Sequence, residues 1–287
     1  MRLRGMFWLA FWLAAAPGFA EALVLQPGEG SFVFADQKSN PDKPVTVWYF
    51  RPDAWDVSRP VLFVMHGMLR NGETYRRAWM EPARKHNALL LVPEFANQHY
   101  SGAGYNRGGV SLNVDESKWT FAVIENLFDH VRTATGLTRT NYLLYGHSAG
   151  GQFVHRFVEF MPHARFERAV AANPGYYTMP RFDRDYPYGF GKSPMDDERL
   201  RRVFGRPLTI LVGENDNDPN AKDLHRSALA MEQGRHRFER GHNFIALAGA
   251  LAAQRNLPLN WNLQVVPGVG HSNAGMMPVA ARILFEP

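Results

Sequence analysis

Three short stretches carry residue types that together do nucleophilic chemistry. The first is Tyr145-Gly146-His147-Ser148-Ala149-Gly150-Gly151, which sets a serine between glycines two positions to either side. Placed after an apolar strand and ahead of a helix, this spacing makes a nucleophile elbow. The backbone is strained at the serine, side chains at Gly146 or Gly150 would collide with neighbouring chain, and Ser148 Oγ is pushed into the open at a helix N-terminus. The second stretch, Val64-Met65-His66-Gly67-Met68, ends another apolar run in a loop that can turn an N–H toward a reacting carbonyl. Acyl transfer builds charge on the carbonyl oxygen, and two backbone N–H groups aimed at it are worth several kcal/mol. Met68 and Ala149 are the candidate donors. The third, Val265–His271, brings His271 out of an apolar run into a Gly-rich loop, from which a base can reach the serine.

A base of this kind needs a carboxylate that orients the imidazole and stabilises its charged form. The run Leu208–Gly213 leads into Glu214-Asn215-Asp216-Asn217-Asp218-Pro219, where three acids are eligible. Asp216 is the choice, because a few residues past the strand give the loop room to turn inward; Asp218 is the reserve. The same stretch resembles a calcium loop, but Ala221 stands where such a loop needs glycine and Pro219 intrudes. His147 should face away from Ser148. His225, His236 and His242 fall in a charged region expected to be helical and solvated, without the spacing of a zinc motif. No metal or organic cofactor is expected.

These residues require a scaffold of alternating strands and helices. Strand-like runs recur at Ser31–Ala35, Val45–Phe50, Val61–Met65, Ala88–Val92, Tyr142–Tyr145, Arg168–Ala172, Leu208–Val212 and Leu263–Val266. The later ones are continuously apolar, as strands buried on both faces of a parallel sheet are. The first two follow one another with no helix between, which predicts an antiparallel hairpin. Helices are expected over Asp115–Thr135, with Gly136 placed to stop it, and over Ala149–Phe160 and Asn243–Arg255. The fold class is therefore α/β, a mostly parallel eight-stranded sheet with helices on both faces. Asn173–Arg206 breaks the rhythm. This segment, rich in Tyr, Phe, Pro and Gly, is expected to be a lid-like insertion, and Ser101–Val110 a mobile loop beside the site.

The order Ser148, Asp216, His271, with GHSAG on a strand–helix turn and His-Gly on an earlier strand, resembles the α/β-hydrolase superfamily. Within it, GHSAGGQ and the compact His-Gly loop resemble secreted esterases of the polyhydroxyalkanoate depolymerase and feruloyl esterase kind. The HGGG pattern of another esterase branch is absent, and so are the cysteines that many such enzymes pair. The resemblance implies a serine hydrolase that cleaves carboxylic esters through an acyl-enzyme. A serine peptidase or amidase of the same fold, or an inactive binding protein, are the alternatives. Substrate is expected against Leu69, Tyr100, Tyr105, Tyr176 and Tyr177, which fall in loops after strands or in the inserted segment.

Composition narrows the remaining choices. Of 287 residues none is Cys, which excludes a thiol nucleophile, thiolate metal sites and disulfides. Met1–Ala20 has Arg2 and Arg4 ahead of an apolar run at Met6–Ala16, then Pro17-Gly18. That is the pattern of a signal peptide and shorter than the ~20 apolar residues of a membrane span. The expected mature chain, 21–287, is a single catalytic domain, exported to the periplasm or secreted, without stable membrane insertion. The net charge of +5 loses two arginines with the leader and falls to +3, weak grounds for a nucleic-acid partner. The expected partner is a small-molecule or oligomeric ester.

Overall fold

The computed structural model describes residues 23–286, so the expected leader at 1–20 lies outside the described residues. Eight strands form one sheet: β1 (Gly28–Asp36), β2 (Asn40–Arg51), β3 (Val61–Met65), β4 (Leu89–Glu94), β5 (Tyr142–His147), β6 (Phe166–Ala172), β7 (Leu208–Gly213) and β8 (Trp261–Val266). Their spatial order is β1-β2-β4-β3-β5-β6-β7-β8. β2 runs antiparallel to both β1 and β4, and every later pairing is parallel. The mostly parallel eight-stranded sheet and the opening hairpin are as the sequence predicts.

Burial explains the sequence patterns. The central strands β3, β5 and β7 are buried at every position, whereas edge strands β1 and β8 alternate between covered and open residues. Helices α1 (Gly72–Lys85) and α7 (Asn273–Phe285) pack on one face, over Leu62, Val64, Leu90 and Leu211. On the other face α2 (Thr120–Thr135), α3 (Ala149–Phe160) and α6 (Arg237–Gln254) cover Phe63, Leu91, Leu144 and Ile210. Gly136 closes α2 in the left-handed conformation, at φ 70°. The expected long helix from Asp115 is split: a single 3-10 turn at Glu116–Lys118 precedes α2. α1 and α7 are not evident from sequence, since each contains a proline, Pro82 and Pro278. α4 (Asp197–Phe204) and α5 (Ala228–Met231) complete the set.

The segment Asn173–Arg206, expected to be a lid-like insertion, packs closely at its start. Residues 173–180 are buried without interruption, and α4 occupies its end. Tyr186 sets its ring edge against Phe160 and donates its hydroxyl hydrogen to the Arg107 carbonyl. Tyr186 and Phe190 thus pack as a wall beside α3, against Phe160. The loop Ser101–Val110 is likewise anchored: Tyr105 is fully buried, and the Asn106 amide donates to Gln152 Oε1.

Candidate active site

The β5–α3 turn holds Ser148 by sterics. Ser148 sits at φ 58°, ψ −114°, and its N–H donates to the Ala172 carbonyl at 2.9 Å. A methyl group added at Gly146 would lie 2.2 Å from the Gly150 carbonyl oxygen. One added at Gly150 would lie 2.1 Å from the Met65 carbonyl oxygen. Both positions demand glycine because backbone approaches backbone there.

The candidate base and its candidate acid partner arrive from the ends of β8 and β7. Ser148 Oγ donates to His271 Nε2 at 3.0 Å, and His271 Nδ1 donates to Asp216 Oδ2 at 2.7 Å. Asp216 is buried, and its Oδ1 accepts from the equally buried Arg237 guanidinium at 3.1 Å. Asp218 instead faces solvent and accepts from the Asn220 N–H. The two loops are latched to each other. Glu214 N–H donates to Val266 O, Asn215 N–H to Val269 O, and Gly268 N–H to Glu214 Oε2. Asn173 bridges them from the end of β6, accepting from Gly213 N–H and donating to Gly270 O.

The loop after β3 is fixed from below. His66 is fully buried; its Nδ1–H donates to the Gly67 carbonyl and its Nε2 accepts from Phe95 N–H. Burial holds its pKa down to about 3, so the ring stays neutral and positions the loop. Arg70 donates to the Phe95 carbonyl and lies over the Tyr105 ring, 4.1 Å from its centroid. Among the described residues the Met68 and Ala149 N–H groups have no acceptor, and both residues border the space in front of Ser148.

Two hollows meet at Ser148. The larger, about 620 Å³, is bordered by Ala149, Tyr176, Arg70, Arg107, Lys222 and Arg237. The smaller, about 380 Å³, is bordered by Leu69, Tyr75, Ala78, His147 and His271. Leu69 and Tyr176 thus stand in the site. Tyr100, Tyr105 and Tyr177, expected to touch substrate, do not border either hollow. Each is almost wholly buried. Tyr100 donates to the Lys43 carbonyl, Tyr105 to the His66 carbonyl, and Tyr177 stacks on Phe244. They brace the floor and walls because their rings fill core space between loops and sheet.

Several contributors carry no local sequence signal. Asp223, from the loop after β7, places Oδ2 3.7 Å from His271 Nε2 and pairs through Oδ1 with Arg237 at 2.9 Å. Partial burial raises the Asp223 carboxyl, but Arg237 outweighs it and holds the group below its ordinary value. His225 is in a loop rather than a helix. It stacks on Tyr176 and borders the larger hollow, while His236 caps α6 and His242 is exposed. His147, expected to face away from Ser148, borders the smaller hollow with it; its ring lies 4.8 Å from that of His271 and it shares a hydrogen bond with the Tyr75 hydroxyl. Burial, with help from His271 and Arg237, keeps it neutral. Arg156, fully buried, ties α3 to the wall through Thr178 and to the 101–110 loop through the Asn106 carbonyl. Among the described residues no cluster of three or more His, Asp or Glu has the arrangement of a metal site.

The arrangement can deprotonate a serine, hold the resulting imidazolium beside a buried carboxylate, and offer two N–H groups to an oxyanion. Comparison with known proteins finds hydrolases. The chain is similar to poly(aspartic acid) hydrolase-1 from Sphingomonas sp. KT-1, with 43% identity and a TM-score of 0.87, covering 91% of this chain and 100% of that one. It is also similar to a poly(3-hydroxybutyrate) depolymerase from Bordetella parapertussis, with 36% identity and a TM-score of 0.86, over 91% of this chain and 90% of the other. A fluorophosphonate-binding serine hydrolase of Staphylococcus aureus shares the fold at 15% identity and a TM-score of 0.55, over 90% and 98%. No protein-family model and no curated protein matches the chain.

Proposed function

This chain is a hydrolase that belongs to the α/β-hydrolase superfamily, in the depolymerase branch to which it is 43% and 36% identical, and from that premise we propose that it cleaves carboxylic esters with Ser148, His271 and Asp216 as a catalytic triad. The observation that carries this reading is the unbroken chain of hydrogen bonds from Ser148 Oγ through the His271 ring to Asp216, on a turn that only glycine neighbours permit.

The reaction is a two-step acyl transfer. His271 takes the Ser148 proton while Asp216 holds the imidazole by Nδ1. Ser148 Oγ attacks the carbonyl carbon, and the N–H groups of Met68 and Ala149 receive the oxyanion. His271 then protonates the leaving oxygen and the acyl-enzyme forms. Water, deprotonated by the same His271, attacks that ester and releases the acid and free Ser148. Asp223 lies beside the imidazolium that forms in both steps, and Arg237 holds both Asp216 and Asp223.

A second reading is amide cleavage in an acidic chain. It is favoured by the cations around the larger hollow and by the 43% identical neighbour, whose name gives poly(aspartic acid) as what it hydrolyses. The arginine-led apolar run at Met1–Ala20 supports export as part of the proposal. Among the described residues no helix is long and apolar enough to cross a membrane. The test is a panel of aryl esters, short polyesters and acidic peptide amides, run with the wild type and Ser148→Ala. Ester turnover that disappears in Ser148→Ala is expected. Amide turnover without ester turnover would favour the second reading, and equal activity of both proteins would remove the triad.

A further inference from the structure

The two hollows on either side of Ser148 differ in charge. Four cationic side chains border the larger one, Arg70, Arg107, Lys222 and Arg237, against one carboxylate, Asp223. Arg70 is committed to the Phe95 carbonyl, and Arg237 to Asp216 and Asp223. The Arg107 guanidinium and Lys222 Nζ have no carboxylate partner among the described residues, though both stand at the hollow. The smaller hollow has no Lys or Arg on its border. Met68, Leu69, Ala78 and Ala274 make it apolar, His147 is neutral, and Asp223 is its one carboxylate.

Acyl transfer fixes which half of a substrate enters which hollow; this step rests on the triad reading above. The leaving atom must take its proton from His271 Nε2, so the leaving group lies on the His271 side. His271 borders the smaller hollow and not the larger. The acyl substituent then points the other way, past Ala149, into the cationic hollow. A carboxylate there meets two uncommitted cations. A carboxylate on the leaving group meets the like charge of Asp223 and no lysine or arginine. We propose that the enzyme selects substrates whose acyl half carries an anion and whose leaving group is uncharged. For an acidic oligomer this means that the anionic stretch is held on the Arg107 and Lys222 side of the bond that is cut.

Two matched pairs of aryl esters test this. In the first, the 4-nitrophenyl ester of adipic acid is compared with that of its neutral methyl half-ester. In the second, the butyrate of 4-hydroxybenzoate is compared with the butyrate of methyl 4-hydroxybenzoate. The readout is the kcat/KM ratio, anionic over neutral, after subtraction of the Ser148→Ala rate. The expected ratio is about tenfold or more in favour of the anion in the first pair, and below one in the second. In a protein carrying both Arg107→Gln and Lys222→Gln the first ratio should fall toward one, and added salt should lower it in the wild type. A first ratio at or below one, a ratio untouched by the double substitution, or free acceptance of the anionic leaving group would overturn the assignment. Turnover with the wrong charge order sinks this partition alone. No turnover above Ser148→Ala with any of the four esters sinks the triad and the partition together.

Discussion

The serine side of the site and the acid–base side are held by different physics. Ser148 is placed by backbone packed on backbone: strand β5, helix α3, and glycines whose added methyl groups would fall within 2.2 Å of carbonyl oxygens. Asp216 and His271 are placed by side chains that cross from one loop to another. Arg237 comes from the start of α6, Asn173 from the end of β6, and Glu214 from the loop itself. On the first side position is a steric matter, and stability and activity should fail together. On the second it is a hydrogen-bonding matter, and activity should be separable from folding.

Substitutions can break or sharpen that contrast. Asp216→Asn should lower kcat by about 10⁴-fold with little change in Tm, because the amide favours the wrong imidazole tautomer; single-turnover kinetics and thermal unfolding check it. Gly150→Ala should cost about 2–4 kcal/mol of stability and most of the activity in one step, since no side chain can yield to relieve a contact with the Met65 carbonyl. An active, stable Gly150→Ala protein would end the steric account. Glu214→Ala should reduce kcat only a few-fold and cost under about 1 kcal/mol, since an exposed acceptor is lost and water can serve Gly268 N–H. A stability loss like that of Gly150→Ala would erase the distinction between the two sides.

Acid should affect the molecule through its buried histidines. His66, His147 and His155 all have pKa values depressed by burial, to about 3 for His66. Below pH 6.5 the unfolded chain binds protons at these rings that the folded one refuses. Each such ring therefore removes about 1.4 kcal/mol of stability per pH unit as pH falls from 6.5 toward its folded pKa. Glu159, wholly buried, acts in the opposite sense. Burial raises its carboxyl, so it stays protonated when folded, and it costs stability as pH rises above about 4.5. Three histidines outweigh one glutamate, so urea unfolding between pH 6.5 and 4.5 should show stability falling with acid. A flat or rising profile would contradict the neutral assignment.

What could be seen in the sequence follows the same division. The Ser148 turn was legible because sterics confine it to seven adjacent residues. The central strands were legible because burial on both faces leaves them continuously apolar. The Asp216 and His271 loops could be found by their place after strands, but Arg237, Asp223 and Asn173 could not. Each acts across a long stretch of chain and looks like an ordinary polar residue. α1 and α7 were hidden by Pro82 and Pro278, which read as breaks although packing on the sheet carries both helices through. Tyr100, Tyr105 and Tyr177 misled for a related reason: sequence places an aromatic residue in a loop but does not say whether its ring turns to the cleft or to the core.

The central claim, that Ser148 is a nucleophile activated by His271, is tested most directly by covalent labelling. Wild type and Ser148→Ala would be treated with an alkyl fluorophosphonate and digested, and the modified residue located by mass spectrometry. The account predicts one adduct per chain, on Ser148, formed rapidly in the wild type, slowed sharply by His271→Ala and absent in Ser148→Ala. No adduct on Ser148 in an otherwise folded wild type, or the same labelling in Ser148→Ala, would contradict it.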